Sequence, residues 1–91
     1  MDRLTLFFKS LGDENRLKIL YELQRARELS VGELVERLDI SQPLVSHHLR
    51  ELKLSGLVTT RKHGPYVFYR LKTPRIFELI ALAQSIMEEQ T

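Results

Sequence analysis

The sequence predicts a mostly α-helical fold with one small β-hairpin, in the order helix-helix-helix-helix-strand-strand-helix. Three observations carry this expectation. Apolar residues recur at helical spacing in four segments up to Leu52. The pattern then changes to two runs rich in β-branched and aromatic residues, LVTTRKH (57–63) and YVFYRLK (66–72), divided by Gly64-Pro65. Helical spacing resumes after Pro74.

Leu4, Phe7, Phe8 and Leu11 place a first helix over 2–11, which Gly12 and Asp13 break. Asp13 can cap a second helix whose inner face is Ile19, Leu20 and Leu23. Ser30 and Glu33 have the spacing of a capping box, where each side chain satisfies an otherwise orphaned amide. Val31, Leu34, Val35 and Leu38 then mark a short third helix. Asp39 and Ile40 form a brief turn. Ser41 stands where it can cap a fourth helix, and Pro43 falls in the first turn, where a missing amide hydrogen costs little. Val45, Leu49 and Leu52 mark the buried side of that helix, and Gly56 its stop. Thr73 and Pro74 end the hairpin and start a last helix over 75–90.

With 91 residues the chain is expected to be a single domain over 1–91. A chain of this size buries only about 60% of its unfolded surface, so a partner copy would add needed stability. It is 43% hydrophobic and 29% charged, an ordinary globular mix. It has no cysteine, which excludes disulfides, thiolate metal sites and thiol redox switches. The opening residues MDRLTLFFKS lack the long apolar run of a signal peptide, and no stretch reaches membrane-spanning length. A cytoplasmic protein is expected.

Net charge is only +2, but it is unevenly distributed. From Ser41 to Lys72 six basic residues (Arg50, Lys53, Arg61, Lys62, Arg70, Lys72) face one acid, Glu51, for +5; the remainder has eight basic and eleven acidic residues, for −3. All three histidines, His47, His48 and His63, lie in the basic block. Such asymmetry is what a polyanion binder shows, although a solvated charged face shows it too.

Two short helices joined by a tight turn and followed by a basic hairpin make a winged helix-turn-helix. The fourth helix is then the recognition helix. With Val45, Leu49 and Leu52 inward, its other side carries Gln42, Ser46, Arg50 and Lys53, flanked by Ser41, Pro43 and His47. Gln can pair with adenine, Arg with guanine, and Ser with base edges or phosphate. The helix start can also offer amides to a phosphate. Arg61, Lys62, His63 and Gly64 sit at the hairpin tip, where positive charge follows phosphates or enters the minor groove. A charged edge also blocks sheet aggregation, and both roles are compatible.

The terminal helices have surplus apolar surface. Leu4, Phe7 and Phe8 at one end, and Ile76, Leu79, Ile80, Ala83, Ile86 and Met87 at the other, are the expected faces of a homodimer.

The stretches SLGDENRLKILYEL (10–23), ELSVGELVERLDISQPLVSHHLRELKLSGLV (28–58) and RKHGPYVFYRL (61–71) resemble the ArsR/SmtB family of winged-helix repressors. The resemblance covers nearly the whole chain. It implies a homodimer joined through the first and last helices. It also implies binding to an inverted-repeat operator in double-stranded DNA, repression by blocking polymerase, and release by a metal or another signal. Two positions depart from the family's usual pattern. Asp39 stands where glycine is common, and aspartate tolerates the left-handed backbone. Pro65 stands where a basic residue is common, so a stiffer wing with a weaker grip is expected.

The sensing sites implied by the resemblance are another matter. One family site uses cysteines at the start of the third helix; Leu29, Ser30, Val31 and Gly32 occupy that stretch, and neither Ser30 nor Gly32 is a soft-metal ligand. A second uses Asp, His and Glu on the last helix, but 74–91 contains no histidine. No metal site and no cofactor is therefore expected, and the effector is left open. His47 and His48 point about 100° apart on a helix and cannot chelate one ion together. His47 is expected at the DNA face and His48 against the third helix or the wing.

Three alternatives stay open. One is a metal-responsive repressor with a relocated site that includes His63. Another is a winged helix used for protein contact, against which the retained Arg50, Lys53, Arg61 and Lys62 argue. An enzyme has the least support: there is no nucleophile motif, phosphate-cradling loop or ligand cluster, and Ser46 and His47 do not face each other.

Overall fold

The computed structural model describes residues 2–89, which form α1 (Arg3–Leu11), α2 (Glu14–Ala26), β1 (Leu29–Ser30), α3 (Val31–Leu38), α4 (Gln42–Leu54), β2 (Val58–His63), β3 (Tyr66–Leu71) and α5 (Ile76–Glu88). The helix starts follow their capping chemistry. The Asp2 carboxylate accepts from the Thr5 amide at 2.8 Å and Asp13 from the Arg16 amide at 3.0 Å. At α3 both halves of the capping box form: Ser30 Oγ accepts from the Glu33 amide, and Glu33 Oε1 accepts from the Ser30 amide. The α3–α4 turn passes through Asp39 in the left-handed region, φ 53°. Ser41 differs from expectation. It occupies the cap position, yet its hydroxyl makes no capping bond. Pro43 in that first turn has no amide hydrogen to be capped.

The sheet is larger than a hairpin. Its order is β1-β3-β2, with Leu29 opposite Tyr69 and Ser30 opposite Phe68. A two-residue strand is too short to show alternation, so it was hidden in the approach to α3. Gly64 turns the hairpin at φ 58°, and the fixed φ of Pro65 follows; that sign pattern suits the tight primed turns of hairpins.

The core joins α2 (Ile19, Leu20, Leu23), α3 (Leu34), α4 (Val45, Leu49, Leu52) and the sheet (Leu29, Val58), with Leu57 and Ile76 at its margin. Each such side chain contributes about 1.5–3 kcal/mol by burial. The two helices of the helix-turn-helix are thus fixed to one core along one face each. The last helix departs from expectation in two ways. It begins at Ile76, with Arg75 as its cap residue, and position 90 of the expected span lies outside the described residues. Ile76 itself, read as an interface residue, is only 5% exposed and packs in the core. It belongs to the same core cluster as Leu20, Leu23 and Leu57, so the protomer covers it. No described helix is long and apolar enough to cross a membrane.

Candidate nucleic-acid interface

α4 presents one buried and one bare side. Gln42, Pro43, His47, Arg50 and Lys53 are exposed along it, Ser46 is half-buried, and Ser41 is exposed at its start. Among the described residues, neither Arg50 nor Lys53 has an ion-pair partner. Their donors are free for an incoming acceptor.

His48 holds the helix from behind, but not against α3 or the wing as the sequence suggested. It is 5% exposed and lies at the start of α2. The Arg16 guanidinium lies 3.2 Å from His48 Nδ1 and also donates to the carbonyls of Ser10 (2.7 Å) and Lys9 (3.4 Å). A guanidinium has only donors, so Nδ1 must accept, and the ring proton sits on Nε2. Nε2 is 3.9 Å from the Asp13 carboxylate. Burial pushes the His48 pKa down; Asp13 pulls against that, and the Arg16 charge reinforces it. Asp13 is held below its usual range, chiefly by the Arg16 amide. The Ser10 hydroxyl donates to the Glu51 carbonyl at 3.5 Å. One arginine thereby ties the end of α1, the first turn of α2 and the middle of α4 together. Asp13 was visible in the sequence as a cap, and Arg16 was not singled out. Its link to His48 spans 32 positions and has no local signal.

The wing residues divide. Lys62, His63 and Gly64 are exposed at the tip. Arg61 is committed: it meets the Glu28 carboxylate through two nitrogens, at 2.6 and 3.2 Å, and lies over the Phe68 ring at 5.2 Å. This bidentate contact lowers the Glu28 pKa and raises that of Arg61. Arg61 therefore braces the wing against the loop after α2.

At the far side, α1 and α5 carry exposed apolar surface: Leu4 (66%), Phe8, Ile86 and Met87 (81%). Ala83 is exposed, whereas Phe7, Leu79 and Ile80 are half-buried. Leu82 is exposed as well and was missed, because it lies off the apolar positions singled out in the sequence. Between these helices runs an apolar cleft of 520 Å³ lined by Phe8, Leu11, Tyr21, Leu79, Ile80 and Met87, among others. Among the described residues, no three His, Asp or Glu side chains converge as a metal site would require.

Residues 13–60 match the family model described as bacterial regulatory protein, arsR family. The cadmium resistance transcriptional regulatory protein CadC of Listeria innocua is 42% identical over 83 residues, spanning 91% of this chain and 70% of that protein. The arsenical resistance operon repressor of Escherichia coli is 50% identical over 64 residues, 70% of this chain and 55% of that protein. A solution structure of the homodimeric winged helix-turn-helix DNA-binding domain Mb0332 from Mycobacterium bovis superposes with a TM-score of 0.83 at 29% identity, covering 98% of this chain and 82% of that one. The relatives are transcriptional regulators and not enzymes. With its helix-turn-helix, its basic wing and these matches, the chain belongs to the ArsR family of winged-helix DNA-binding transcriptional regulators.

Proposed function

We propose that this chain acts as a homodimer that binds an inverted-repeat operator and represses transcription by occupying the promoter. The observation that carries the reading is α4. It is anchored to the core along one face and to Arg16 through His48, while Gln42, His47, Arg50 and Lys53 stand exposed on the other side. A fixed helix with unpaired bidentate donors is the arrangement that reads base edges. Ser41, Pro43 and Ser46 border that face, and Lys62, His63 and Gly64 extend it along the backbone. The homodimer rests on the bare apolar faces of α1 and α5, and repression on the naming of the arsenical relative.

The metal sites of the family do not fit this chain. Ser30 Oγ is engaged in the α3 capping box, Gly32 offers no side chain, and the last helix has no histidine. No metal-dependent step is assigned.

The test is fluorescence anisotropy on the DNA upstream of the chain's own coding sequence, with scrambled duplex as competitor. Specific binding that weakens steeply with salt is expected. Equal affinity for both duplexes with a flat salt response would instead favour a protein-contact module. Loss of binding with one member of a divalent-metal panel would point to a relocated metal site, with His63 the first residue to replace. A promoter fused to a reporter then reads the sign of regulation.

A further inference from the structure

The base of the wing carries a second, separate concentration of charge. A cleft of 600 Å³ opens where the end of α2 meets β2, β3 and the lead-in to α5. Arg27, Arg70 and Lys72 line it, together with Gln24 and Thr59, and Leu23 and Leu71 complete its wall. Among the described residues, no acidic side chain lines it. The acids nearest in sequence have partners: Glu22 pairs with Arg25 and Arg37, and Glu28 pairs with Arg61, its carboxylate also lying within the field of Arg70 and Arg27. Arg27, Arg70 and Lys72 have no ion-pair partner among the described residues.

The backbone supplies an independent observation. Arg27 sits at φ 72°, ψ −52°, and the Glu28 amide donates to the Ala26 carbonyl at 2.8 Å across it. This is a γ-turn of the positive-φ kind, rare and strained for a residue with a side chain. Glycine would relieve the strain, yet an arginine occupies the position and lines the cleft. Arg70 and Thr59 are cross-strand partners, next along their strands to the core-packed pair Val58 and Leu71, and both line the cleft. The site lies at the hairpin base, about 16 Å of strand from Gly64 at ~3.3 Å per residue, and so away from the tip that would follow DNA.

We propose that this cleft binds a small oxyanion of two or more negative charges, a phosphate or a dicarboxylate. Three cations with a hydroxyl and an amide supply charge-assisted donors from several directions, which suits a compact polyanion. The cleft joins the wing base to the entry of α5, so its occupant acts as an effector that sets the wing relative to the dimer helix. That effector role rests on the DNA-binding dimer proposed above; the binding site does not.

The experiment titrates inorganic phosphate, and separately succinate, into the full chain at constant ionic strength, reading backbone amide shifts by NMR. Saturable shifts confined to Gln24, Arg27, Thr59, Arg70 and Lys72 are expected with one or both anions, and the anion that saturates identifies the class. Arg70→Gln, an exposed change, is expected to weaken binding about tenfold. Arg27→Gly is expected to weaken binding as well while raising the denaturation midpoint, an outcome that misfolding cannot produce. Shifts that sodium chloride reproduces, or that fall on α4 and the wing tip, would overturn the site. So would unchanged binding in Arg70→Gln. The effector role is read separately, as a change in duplex affinity on adding the saturating anion. An unchanged affinity would overturn that role, and a chain that bound no duplex at all would overturn the DNA-binding reading while leaving the site measurable.

Discussion

α4 and α5 are both thirteen residues long, and they leave opposite kinds of surface bare. α4 buries Val45, His48, Leu49 and Leu52 and exposes Gln42, His47, Arg50 and Lys53. α5 buries only Ile76, and every described residue from position 81 onward is exposed, including Leu82, Ile86 and Met87. A helix held by its own core can spend its outer face on polar recognition. A helix with half its length unpacked has little reason to be ordered alone, since helices of this length are marginal without tertiary contact. The exposed chemistry differs in kind, cations and amides on α4 and apolar side chains on α5, and the proposed DNA-binding homodimer rests on that division.

The widest gap between the two helices should appear in stability. Leu49→Ala is expected to cost about 2–5 kcal/mol in urea denaturation, because the cavity opens in the shared core. A change on the bare face of α5, Met87→Ala, removes no core contact of the protomer, so it should cost far less, and any cost should come through the proposed dimer and depend on protein concentration. If both changes cost the same, the division fails. Next is assembly. Ile86→Glu puts an unpaired charge on the proposed interface and should weaken the dimer by roughly 2 kcal/mol or more, about thirtyfold, in sedimentation equilibrium. Arg50→Ala should leave the sedimentation unchanged and cost about 1–3 kcal/mol of discrimination between specific and scrambled duplex. A dimer weakened by Arg50→Ala, or specific binding untouched by it, would blur the distinction.

A smaller effect tests what holds α4 from behind. The pKa of His48 is depressed in the folded chain, so the unfolded chain binds more protons as pH falls through the ordinary value of 6.5. Its contribution to stability is complete above that value and is lost as pH drops toward the depressed folded pKa. The denaturation midpoint should fall between about pH 7 and pH 5, and His48→Gln should flatten that slope. An identical slope in the variant would show that His48 does not set the pH dependence. The smallest effect compares neighbours on the wing. Lys62→Gln should reduce the salt dependence of DNA binding by about one phosphate equivalent. Arg61→Gln should reduce it less, because Glu28 already holds that guanidinium.

Most of the fold was legible because its signals are local. The capping box at Ser30 and Glu33, the cap at Asp13, the stop at Gly56 and the turn at Gly64-Pro65 each act within a few residues. The bare face of α4 followed from the same 3.6-residue period. What was not legible depends on pairing across the chain. β1 exists only because Leu29 and Ser30 lie beside Tyr69 and Phe68. His48 needs Arg16, Arg61 needs Glu28, and Ile76 needs the core to reveal that it is covered. Charge count placed Arg61 with Lys62, and only geometry separates a committed guanidinium from a free ammonium.

In the proposed assembly two copies, joined through their apolar helices, each present one α4 to DNA. Selection of duplexes from a random library by the full chain, followed by sequencing, tests it most directly. The expected result is an inverted repeat whose half-site centres lie about 10 base pairs, or a multiple of that, apart. Enrichment of a lone half-site, or of no sequence, would contradict it.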